Sequence, residues 1–171
     1  MAAWKQWGEK YSPGFELTKD HHGKRAQDIV LYLVGEAGFE EANDHINQLE
    51  QDLAHLTIAL PGAVELTSSL KPGTWTVVTS ANPFLAKGRL EAAGIPIPKE
   101  LVTAYDVSKG KPDPEPYLRG AQNLGFDISD CVVFEDAQAG IQAGLEAGAG
   151  LLVGVTEHAL HTDADIVVRS L

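Results

Sequence analysis

Three short segments of this 171-residue chain carry the residue types that handle concentrated negative charge. Val77-Val78-Thr79-Ser80-Ala81-Asn82 ends a β-branched run with a hydroxyl and an amide, both able to donate hydrogen bonds. Gly110-Lys111-Pro112-Asp113-Pro114-Glu115 offers an ammonium in a proline-rich loop, and Val132-Val133-Phe134-Glu135-Asp136 ends an apolar run in two adjacent carboxylates. Each has a plain structural account when taken singly. Ser80 or Asn82 would cap the next helix, Lys111 would be a solvated surface lysine, and Glu135-Asp136 would sit at a helix N-terminus and answer its dipole. Their combination, at separations of 111 − 80 = 31 and 136 − 111 = 25 residues, makes one candidate site, because ligands of open parallel sheets lie beyond the carboxyl ends of the strands.

The surrounding periodicity supplies such strands. Up to about residue 60 the pattern is helical: Trp4, Trp7 and Tyr11 share one face, a second helical run starts near Arg25, and Ile46, Leu49, Leu53 and Leu56 mark a third helix from Phe39 to Thr57. Pro61-Gly62 breaks the pattern. Helices over 63–70, 83–93, 115–124 and 137–147 then alternate with strands over 74–79, 101–105, 131–134, 151–155 and 166–168. Strand and helix in turn, with apolar strands, predict a parallel sheet covered on both faces.

A formal charge of −11 argues against nucleic acid as a partner, because a phosphate backbone needs a basic face. Cys131 is the only cysteine, so no intrachain disulfide forms, and its place at the head of an apolar run reads as a buried, inert thiol. The sequence shows no secretory signal core and no apolar run long enough to span a bilayer, which gives the expectation of a cytoplasmic protein with no membrane partner.

The three motifs together resemble the second, third and fourth motifs of the haloacid dehalogenase superfamily, in its β-phosphoglucomutase-like branch with the sugar- and polyol-phosphate phosphatases. His22-Gly23-Lys24-Arg25 is similar to a His-Gly-x-Arg segment of that family's helical cap, and Leu60-Pro61-Gly62-Ala63 to the return from cap to core. The resemblance implies a small helical cap over residues 1–60 and a Rossmannoid α/β core over 61–171. It also implies that Ser80 and Asn82 hold phosphoryl oxygens, that Lys111 neutralises charge, that Glu135 and Asp136 position Mg2+, and that His22 and Arg25 reach the substrate from the cap.

The family's first motif, an apolar strand ending in Asp-x-Asp-Gly-Thr, has no counterpart here. The one Asp-x-Asp, Asp163-Ala164-Asp165, precedes an apolar run instead of ending one. The expectation is a core lacking its first, central strand and a chain inactive as a phosphatase, with at most weak Mg2+ binding at Glu135 and Asp136 and no required cofactor. The remaining pocket would serve a non-hydrolytic enzyme of isomerase, lyase or cyclase type acting on a small molecule, with Lys111, Glu135 and Asp136 catalytic and Ser80, Asn82, His22 and Arg25 binding. The alternatives are a regulatory pseudophosphatase and a truncated phosphatase. Lys111 is expected to pair with Asp136 beneath His22 and Arg25, and a homodimer to cover the two sheet edges that a missing strand exposes.

Overall fold

The computed structural model describes residues 2–171. Helix α1, Ala2–Tyr11, buries Trp4 and Trp7 on one side, and the Trp7 indole N–H donates to the Ala42 carbonyl at 2.7 Å. Helix α2, Ala26–Asp52, is broken at Gly35, whose φ of 68° and ψ of 178° are non-helical, so the two helical runs read from the sequence meet there. Ile29 and Val30 from the first run, with Ala42 and Ile46 from the second, close on the two tryptophans as one apolar cluster.

Beyond Pro61-Gly62 come α3 (Ala63–Ser69), α4 (Pro83–Ala92), α5 (Glu115–Leu124) and α6 (Gln138–Ala147), with strands β1 (Val132–Glu135), β2 (Leu151–Val155) and β3 (Ile166–Val168). The strands are parallel in the order β1-β2-β3, with Val132 opposite Leu151 and Val153 opposite Ile166. Tyr117 of α5, Val133 of β1, Ala143 and Ala147 of α6 and Leu152 of β2 form a second apolar cluster. Gly125 and Gly148 close α5 and α6 in the left-handed conformation, as helix ends commonly do.

Two expected strands are shorter than the sequence suggests. Residues 74–79 and 101–105 meet only through a parallel bridge between Val78 and Val102, held by Thr79 N–H to the Val102 carbonyl and Val102 N–H to the Val77 carbonyl, each 2.9 Å. Two paired strands with no further neighbour are marginal, and no ladder joins Val78 to β1 among the described residues. A cavity of about 660 Å3 lies there instead, bounded by residues 77–81 on one side and 134–137 on the other.

Candidate functional site

The floor of this cleft is a buried ion pair. Lys111 Nζ donates to Glu135 Oε2 at 2.6 Å and to the Val78 carbonyl at 3.2 Å, and its side chain is only 6% exposed against 9% for Glu135. The ammonium also lies 4.6 Å from the centre of the Tyr117 ring, within cation–π range. Tyr117 donates its hydroxyl to the same Glu135 oxygen at 2.6 Å, while Oε1 accepts the backbone N–H groups of Asp136 and Ala137, each at 3.1 Å. Burial opposes the Glu135 charge, but Lys111, by charge and hydrogen bond, and then Tyr117 outweigh it and bring the carboxyl down to about 2. Burial first, and then the Glu135 charge, push the Tyr117 phenol well above its usual range.

The expected partnership of Lys111 with Asp136 is therefore corrected: Glu135 takes the lysine. Asp136 follows β1 and is exposed as a residue. Partial withdrawal of its carboxyl from water, and then repulsion from Glu135, raise its pKa above the ordinary aspartate value. His22 and Lys24, from the loop before α2, line the same cleft.

Ser80 also lines the cleft, but its hydroxyl donates to the Gly23 carbonyl at 2.6 Å, fastening the strand end to the loop that carries His22. Two residues expected to bind substrate lie elsewhere. Asn82 caps α4 by accepting the Leu85 N–H at 2.9 Å and donates to Asn47 of α2 at 3.1 Å, so both ends of its amide are engaged. Arg25 forks onto the two Asp28 oxygens at 2.8 Å each and donates to the carbonyls of Val107 and Ser108, each at 3.2 Å. It fastens the start of α2 to the lysine-bearing loop instead of roofing the ion pair. That loop is held in turn by Glu115, which accepts both the N–H and the hydroxyl of Ser108 and the N–H of Lys109.

The pair Glu135-Asp136 offers Mg2+ one open carboxylate. Both Glu135 oxygens each accept two hydrogen bonds, leaving Asp136 as the free carboxylate of the pair, and no group of three or more metal-ligating side chains occurs among the described residues. Mg2+ held at Asp136 would have to complete its octahedron with water or substrate oxygens.

Sequence reasoning missed Tyr117, Glu50 and Arg89. Tyr117 was within reach, since it follows Lys111 by six positions on the amphipathic α5. Glu50 and Arg89 line the cleft from α2 and α4 and join at 3.2 Å, a long-range encounter with no local signature. Cys131 is half-buried, and burial raises its thiol pKa, in keeping with an inert group. No helix among the described residues is long and apolar enough to cross a membrane.

Residues 3–148 match the family model of haloacid dehalogenase-like hydrolases. The chain is 36% identical to hexitol phosphatase A of Escherichia coli, over 99% of this chain and 82% of that protein. It is 35% identical to glycerol-1-phosphate phosphohydrolase 2 of Saccharomyces cerevisiae, over 99% of this chain and 74% of that protein. Its fold superposes on a hydrolase from Pseudomonas syringae with a TM-score of 0.82 at 28% identity, covering 97% of this chain and 83% of the other. The chain belongs to the haloacid dehalogenase-like hydrolases, as its three motifs suggested.

Proposed function

We propose that the cleft receives the phosphate ester of a small polyol or sugar, with the phosphoryl group against Lys111 and the carbon chain towards α2. The supporting observation is the Lys111 ammonium, buried at the cleft floor with two of its three N–H donors engaged by protein. Lys24 and His22 add donors at the rim. The chemistry that suits these residues is acid–base. Glu135 is held ionised by its bonds, whereas Asp136 has a raised pKa and an open face, the property needed to take a proton from one carbon or oxygen and return it to another. An isomerisation, elimination or cyclisation of a phosphate ester fits that description.

Hydrolysis of the ester is the second reading, favoured by the two relatives named as phosphatase and phosphohydrolase. Phosphorus NMR on D-glucitol 6-phosphate and glycerol 1-phosphate with the purified chain separates the two. A new phosphate-ester resonance supports acid–base chemistry, and inorganic phosphate released at an ordinary enzymatic rate, about 1 per second or faster, supports hydrolysis. Binding with neither signal leaves a receptor, the pseudophosphatase reading. Pairing of two chains over the free edge of β1 belongs to the same proposal, and light scattering at micromolar concentration checks it, a monomer removing it.

A further inference from the structure

We propose that Glu50 and Arg89 form a diol-recognition pair that selects hydroxyl-rich, uncharged carbon chains, an inference that rests on the phosphate-ester reading above. Both residues line the same cavity as Lys111 and Asp136. Glu50 comes from the last turn of α2 and Arg89 from α4, so the pair joins two helices distant in sequence.

Arg89 Nη2 donates to Glu50 Oε1 at 3.2 Å, and the Glu50 side chain is only 15% exposed. No protein group among the described residues donates to its second oxygen. The side chain is mostly enclosed, yet its second oxygen still reaches the cleft, where a ligand hydroxyl would take the place of water. Arg89 is less enclosed, at 42%, and holds further N–H donors beside that open oxygen.

An acceptor and a donor fork side by side match two neighbouring hydroxyls. One hydroxyl donates to Glu50 Oε2, and the oxygen of the next accepts from the guanidinium. The Glu50 charge disfavours a ligand with its own carboxylate at this end, so the pair points to phosphate esters of polyols and neutral sugars over those of hydroxy acids. A site built to bond a hydroxyl rejects an analogue without it strongly, because its own polar groups are then left unpaired. As a fold-holding contact the pair contributes little, being partly open to water.

Isothermal titration with inorganic phosphate, propyl phosphate and glycerol 1-phosphate tests this, because the last two share a three-carbon chain and differ in the vicinal diol. The wild-type chain is expected to prefer glycerol 1-phosphate to propyl phosphate by about tenfold or more, and Glu50→Ala to lose that preference while holding the other two ligands within about twofold. Arg89→Lys, which keeps the charge and loses the fork, should lower the preference in the same direction and guards against a misfolded Glu50 variant. A wild type indifferent to the diol, or a preference untouched in both variants, overturns the inference alone. If inorganic phosphate fails to bind, or binds equally well to Lys111→Met, the phosphate-ester reading falls and this one with it.

Discussion

Lys111 Nζ lies 2.6 Å from Glu135 Oε2, and the neighbouring Asp136 is left without a cation of its own. Strand alternation explains the choice. Along β1, Val133 is buried between exposed Val132 and Phe134, and Glu135 shares the Val133 face. That face meets α5, where Tyr117 packs on Val133 and donates to Glu135. Asp136 lies one residue beyond the end of β1, where its carboxyl is more exposed and is repelled by that of Glu135. Two adjacent carboxylates thereby receive opposite environments, one pinned as an anion and one free to take up a proton.

The pair sets the stability of the cleft floor. Lys111→Met or Glu135→Gln alone should cost about 3–5 kcal/mol, because the remaining partner is stranded away from water. The double variant Lys111→Met with Glu135→Leu should recover most of that loss. Urea unfolding followed by circular dichroism measures all three, and a double variant no more stable than either single one contradicts the pair as the cause.

Acid should weaken the fold through Glu135. Its carboxyl titrates at about 2 when folded and at about 4.3 in an unfolded chain, so its contribution is complete above about pH 4.3 and drains away as the pH falls towards 2. Asp136 has the opposite sign. Its folded pKa is raised, so protonation favours the folded state, and stability falls as the pH rises from the unfolded towards the folded value. Thermal melts between pH 5 and 2.5 should show a smaller decline for Glu135→Gln than for the wild type, and a steeper one for Asp136→Asn.

Anion binding should depend on Asp136 in a way a purely structural carboxylate would not produce. With Lys111 balanced by Glu135, an ionised Asp136 opposes an incoming phosphate. Asp136→Asn should therefore bind inorganic phosphate more tightly than the wild type, by about tenfold if the carboxylate opposes the anion by about 1.4 kcal/mol. Its affinity should also lose the part of the pH dependence that protonation of Asp136 supplies. Titration calorimetry at two pH values reads both effects, and weaker binding by this variant would place Asp136 among the attractive contacts instead.

Arg25 is expected to act on stability and not on affinity. Its guanidinium crosses Gly110, where an added Cβ would stand 2.7 Å from Arg25 Cγ and Nε. Gly110→Ala should thus reproduce the effect of Arg25→Ala, a loss of about 1–3 kcal/mol from the stranded carbonyls of Val107 and Ser108. Differential scanning fluorimetry gives the stability, and phosphate affinity should stay unchanged in both.

Much of the architecture was readable before any coordinates. The Trp4-Trp7-Tyr11 spacing places α1, and the short apolar runs beginning at Cys131 and Leu151 give β1 and β2. The segment over 74–79 is equally β-branched, yet it forms only the Val78–Val102 bridge, because a ladder depends on neighbours that local composition does not reveal. Asn82 stands outside the residues that line the cleft for a similar reason. Its local role as a helix cap was legible, but its amide is completed by Asn47, 35 residues away. The identity of the lysine's partner was more accessible: placing Val133 inside puts Glu135, and not Asp136, on the same face.

The closeness of α6 to the ion pair bears on redesign. A side chain at Gly140 would occupy the space of the Glu135 carboxylate. Alanine there would push the acid aside and leave an amine in a dry pocket without its counter-charge. A buried ammonium without its counter-ion is costly, so the variant is expected to lose about 3–5 kcal/mol, as removal of either partner does. One methyl group at position 140 would thus break the ion pair without altering either of its members.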